Sequence, residues 1–77
     1  MTIREAVIEV LKSEGRPMQS NEIATIIRAR GLHPLPTKYP GSVVNKAIRR
    51  HCLGVETDGS RPDKVFRALH GRRYSLI

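Results

Sequence analysis

The sequence predicts a mainly α-helical domain closed by one small β-hairpin. Three observations predict it. Apolar residues recur at helical spacing in three separate stretches. Glycine or proline stands at the boundaries of those stretches. The final residues alternate apolar and polar on either side of Gly71, the pattern of two short strands.

The first stretch reads as an amphipathic helix. Ile3, Ala6, Val7, Val10 and Leu11 fall on one helical face, and Ile8 lies just off it. Partial burial at the core edge accounts for Ile8. Thr2 with Glu5 three residues later has the form of a capping box, and Gly15 suits the helix end. Pro17 and Met18 then form a short extended piece, since proline lacks an amide donor and steers Arg16 away from helix.

A second helix is expected from about residue 20 to Arg30, with Ile23, Ala24 and Ile27 as its stripe and Ile26 widening it. Glu22 sits in its first turn, where negative charge suits the helix dipole. Either Ser20 or Gln19 caps it, and Gly31 ends it. Residues 33–41 carry three prolines and a glycine, which forbid a regular element.

The third helix is expected from Pro40, a residue suited to the first helical position, to about Cys52, with Gly54 beyond. Val44, Ala47, Ile48 and His51 share its packing face. Ser42, Asn45, Lys46 and Arg49 fall opposite, with Arg50 at their flank. Residues 57–63 read as a loop by composition. In the closing hairpin Phe66 and Ala68 share a face on one strand, as do Tyr74 and Leu76 on the other. Arg67 and Arg73 then point away from the core.

Short strands alone cannot bury three helical stripes, so the helices must pack on one another and the hairpin must cover an open side. That order of elements is a winged helix-turn-helix, with the third helix as the reading helix and the hairpin as the wing.

At 77 residues the chain holds one domain's worth, residues 1–77. It ends within an expected core strand, Leu76-Ile77, which suggests a module of a larger protein. Its single cysteine excludes an internal disulfide and fits an intracellular setting, whether cytoplasm, nucleoid or nucleus. No apolar run reaches the length of a membrane span. The net charge is +7, and residues 33–77 carry nine Lys or Arg against three Asp or Glu. An excess of that kind attracts a polyanion, because each neutralised phosphate releases condensed counterions.

The run from Ile3 to Leu11, then Gly15-Arg16-Pro17-Met18 and Asn21 to Ile27, resembles the opening of the HARE-type helix-turn-helix domain. Phe66-Arg67, Gly71, Tyr74 and Leu76 resemble its closing hairpin. The resemblance covers nearly the whole chain and lies mostly in core positions. It implies a winged helix of the kind found in restriction endonucleases, chromatin-associated proteins and a bacterial RNA polymerase subunit. It also implies DNA binding, with base modification as one feature such a domain can sense. Residues 33–41 match least, because the connector there is longer and richer in proline than a compact helix-turn-helix allows.

The candidate binding residues follow from major-groove chemistry. Arg or Lys pairs with guanine edges and Asn with adenine. Asn45 and Arg49, four apart on the third helix, are placed to reach bases, while Lys46 and Arg50 suit phosphates and Ser42 can donate near the helix start. Arg72 and Arg73 beside the hairpin turn suit a narrow minor groove. Lys38 and Arg67 add backbone contacts, as can Arg61 and Lys64. For every one of these the plain alternative is a solvated charge. Tyr39 is expected to pack over the connector.

No metal-ligand spacing, no cofactor motif and no supported catalytic constellation is present, so the chain is read as a non-enzymatic binder of double-stranded DNA. His51 is expected as a hydrogen-bonded core histidine. A monomer is the default, with other domains of a parent protein as further partners. The rival reading is a protein-interaction module of a transcription or chromatin complex, with Ile8 and Leu35 as its candidate exposed apolar contacts. Single-stranded or RNA binding has few aromatics to stack bases on, since Phe66 and Tyr74 are expected in the core.

Overall fold

Three helices and a four-stranded sheet share one core in the computed structural model, which describes residues 1–53 and 64–77. Helix α1 spans Ile3–Glu14. Its start is set by a reciprocal cap: the Thr2 hydroxyl accepts from the Glu5 amide at 3.1 Å, and the Glu5 carboxylate accepts from the Thr2 amide at 2.8 Å. Gly15, at φ 65°, ends it by donating to the Leu11 carbonyl. Strand β1, Met18–Gln19, runs directly into helix α2, Ser20–Arg30. Gln19 occupies the cap position, and the Glu22 carboxylate accepts from its amide at 3.0 Å, which resolves the choice between Gln19 and Ser20.

Helix α3 spans Pro40–Arg50 and ends earlier than its periodicity predicts. Cys52 belongs instead to strand β2, Cys52–Leu53. The reason is non-local. The His51 carbonyl accepts from the amides of Val65 and Phe66, which draws the chain into pairing with strand β3, Phe66–Leu69. Strand β4, Arg73–Leu76, completes the hairpin. The sheet order is β1-β4-β3-β2, with β2 parallel to β3 and the other pairs antiparallel. The expected loop at 57–63, the helix stop at Gly54 and the candidate Arg61 lie outside the described residues.

The core joins the stripes of all three helices to Met18, Phe66 and Tyr74. Burying a large apolar side chain contributes roughly 1.5–3 kcal/mol relative to leaving it in water, so this cluster dominates the favourable side. Leu35 belongs to it at 1% exposed, which corrects its reading as an exposed contact. It holds a left-handed φ of 44°, a costly conformation for a branched residue, because its side chain plugs the space beneath the connector. Ile8 is half-buried against the core edge, as partial burial predicts. Both apolar residues assigned to a protein partner are thereby spoken for.

Three further expectations are corrected. Ala68 shares a strand face with Phe66 yet is exposed, because only the first residue of β3 is covered and the hairpin then runs out from the helices. Tyr39 is 72% exposed rather than packed, since it stands at the α3 cap while Leu35 fills the space below. His51 is half-buried at the α3 C-cap rather than in the core.

Candidate nucleic-acid interface

Helix α3 buries Gly41, Val44 and Ile48 and leaves Ser42, Lys46, Arg49 and Arg50 exposed. The spacing is the cause: three and four residues apart return to the same face, so the polar residues between them must face out. Among the described residues, no carboxylate forms an ion pair with Lys46, Arg49 or Arg50. Asn45 departs from the expected pattern. It is half-buried on the flank facing the hairpin, where its Oδ1 accepts from the Tyr74 hydroxyl at 2.6 Å.

That flank forms one wall of an open groove of about 420 Å³. Ser42, Asn45 and Arg49 line it from α3, Gln19 to Asn21 from the start of α2, and Arg72 and Tyr74 from the hairpin. Asn21 and Gly41 meet where α2 and α3 approach along this groove. A Cβ at Gly41 would meet the end of the exposed Asn21 side chain, so glycine lets that carboxamide rest over the α3 start and a larger residue would make it turn aside. Gln19 holds the hairpin in place by donating from Nε2 to the Gly71 carbonyl at 3.2 Å. In the turn itself Gly71 and Arg72 both adopt positive φ, 79° and 59°. Arginine is an expensive residue for that conformation, which Gly or Asn adopts readily.

A second groove of about 490 Å³ lies on the other side of Gly41 and Ser42, lined by Lys38, Tyr39, Arg28 and neighbours on α2. Arg28 is not free there. Its Nη2 donates to the carbonyls of Leu35 at 2.7 Å and Thr37 at 2.8 Å, so it clasps the proline-rich connector that leads into α3. That clasp answers how a connector longer than a compact turn still delivers α3 to the surface.

The structure thus brings Ser42, Asn45, Arg49 and Arg72 to one groove and sets Lys38 in the next, with Ser42 shared. Lys46 and Arg50 are exposed outside both grooves. Arg67 and Arg73 are exposed on β3 and β4 and line neither. Arg73 pairs in register with Gln19, and its charge reaches Glu22. Lys64 is half-buried. Sequence reasoning missed Gln19, Ser20, Asn21, Gly41 and Tyr74 as groove residues. The first two carried only a capping signal and Tyr74 only a core signal, because their meeting with α3 is made across the fold.

The electrostatics are one-sided. The carboxylates of Glu5, Glu14 and Glu22 on α1 and α2 have partners within the fold. The Glu22 carboxyl is held below its ordinary value by the Gln19 amide first and by Arg16 next. Glu5 is lowered chiefly by the Thr2 amide and hydroxyl. Burial pushes the Cys52 thiol up, which keeps it protonated and unreactive at neutral pH. Among the described residues there is no group of three or more His, Cys, Asp or Glu placed to hold a metal ion, and no helix long and apolar enough to cross a membrane.

No curated protein and no solved structure matches the chain significantly. One family model does, over residues 1–77: HARE-HTH, the HB-1, ASXL, restriction endonuclease HTH domain. It describes a helix-turn-helix family that is generally DNA-binding rather than catalytic. With the matching model spanning every residue and three helices carrying a small sheet in the winged arrangement, the chain belongs to the HARE-HTH family.

Proposed function

We propose that this domain binds double-stranded DNA, with α3 in the major groove and the β3–β4 hairpin on the backbone or in the adjacent minor groove. The observation that carries the reading is the exposed flank of α3, where Arg49 shares a groove with Arg72 of the wing. In this arrangement Arg49 and Asn45 contact base edges, while Lys46, Arg50 and Lys38 hold phosphates. Ser42 donates to a phosphate beside the start of α3. Arg67 and Arg73 lie outside the groove and serve as outer backbone contacts.

The left-handed Arg72 supports the wing's part. A cation at a position where glycine or asparagine costs less supports a role for its charge in binding. The setting we favour is a specificity or modification-sensing module within a restriction, transcription or chromatin protein, acting as a monomer inside the cell. The protein-interaction alternative loses Leu35, which is buried, and keeps only a half-buried Ile8 at the core edge.

Chemical-shift mapping with a random duplex at two salt concentrations tests the proposal. The expected result is shifts centred on residues 42–50 and on the hairpin turn, with affinity falling steeply as salt rises. No binding to any duplex at low salt overturns it.

A further inference from the structure

We infer that Tyr74 is a positioning residue for base recognition: its hydroxyl fixes the carboxamide of Asn45 so that Asn45 acts as a donor to base-edge acceptors. The inference rests on the DNA-binding reading and deepens it. Tyr74 lies on the wing strand β4 and Asn45 on the reading helix, 29 residues apart, and one hydrogen bond joins them. Oδ1 faces the Tyr74 hydroxyl at 2.6 Å, a separation within the O–H···O range.

The ring of Tyr74 is buried, at 5% exposed, so the hydroxyl is delivered from a fixed base. Asn45 meanwhile lines the groove beside Ser42 and Arg49. With Oδ1 turned toward the Tyr74 hydroxyl and one of its lone pairs used there, the amide N–H pair on Nδ2 is the end this bond leaves for the groove. Adenine recognition by asparagine uses both ends of the carboxamide at once, accepting from one base atom and donating to another. An asparagine held in this way instead donates to purine N7, guanine O6 or thymine O4. The same bond links the wing to the reading helix, so the angle of one is set against the other.

The test uses the whole chain and a randomised duplex pool, with enrichment read for wild type, Tyr74→Phe, Asn45→Ala and the double variant. Phenylalanine keeps the buried ring and removes only the hydroxyl. Asn45→Ala should flatten preference at one position of the enriched site, and the wild-type protein should not demand adenine there. Tyr74→Phe should lose roughly three- to tenfold of the preference at that position, the scale of one hydrogen bond. Its salt slope should match wild type, because no phosphate contact is removed, and the double variant should discriminate no worse than Asn45→Ala.

Without DNA, the Asn45 side-chain amide resonances should be well separated in wild type and move toward free-amide values in Tyr74→Phe. The inference is overturned if Tyr74→Phe discriminates like wild type, if it loses bulk affinity equally, if the two substitutions add, or if the site requires adenine. Absence of duplex binding by wild type removes the broader reading and this one with it, and is distinguished by that control.

Discussion

Three arginines on α2 and the link before it carry the same charge as the cations of α3 and the wing tip, and their circumstances are opposite. Those three are occupied, Arg16 on the link between the first two helices and Arg28 and Arg30 on α2. Arg16 meets Glu22 at 3.4 Å and Glu14 at 3.7 Å, Arg28 binds two connector carbonyls, and Arg30 donates to the Ser13 hydroxyl at 2.9 Å. On α3 and the wing tip, Lys46, Arg49, Arg50 and Arg72 are exposed with no ion pair among the described residues. An arginine count therefore says little about a binding surface. What matters is whether the fold has already supplied an acceptor.

Variants on the two sides can break that contrast or sharpen it. The largest effect is expected from Arg49→Ala, which should cost about 1–3 kcal/mol of discrimination for a preferred site. Competition between enriched and scrambled duplexes measures it, and an unchanged ratio would move Arg49 into the solvated class. Arg28→Met comes next. It removes both connector bonds and should cost about 1–2 kcal/mol of stability in denaturant unfolding. Its salt slope for DNA should stay put, because this guanidinium is spent on carbonyls. A fall in that slope would place Arg28 on the open side.

Lys46→Ala should weaken binding to every sequence and lower the salt slope by about 0.9, the signature of one lost phosphate contact. Arg30→Ala, its partner in the comparison, should leave both within error. Arg72→Asn should raise stability by about 0.5–1 kcal/mol, since asparagine adopts the left-handed turn position more readily. The same change should weaken duplex binding, and a melting curve beside a titration reads both.

The smallest effect concerns the occupied side alone. The Glu22 carboxyl is lowered from its ordinary value of 4.5, so its capping contribution is complete above that value. It is lost as pH falls through the lower folded value. Glu22→Gln should remove this part of the acid sensitivity in a series of thermal melts between neutral and strongly acid pH.

Much of this molecule is legible without coordinates, for a reason visible at particular residues. The Thr2–Glu5 cap, the stops at Gly15 and Gly31, Pro40 at the start of α3 and the turn at Gly71 all depend on neighbours a few positions away. The outward placement of Lys46 and Arg49 follows from helical spacing in the same way. Local patterns alone thus carry the helices, the hairpin, the fold class and the cationic side of α3.

Tertiary structure decided the rest. Leu35 entered the core and Tyr39 stayed out, although composition suggested the reverse. Cys52 left the helix to pair with Phe66, Arg28 was taken by the connector, and Asn45 was turned toward Tyr74. Each of these joins residues whose separation along the chain sets no distance between them. Hydrogen bonds of that kind are chosen only once the helices have packed and left particular acceptors within reach, and no local pattern encodes where that reach will fall.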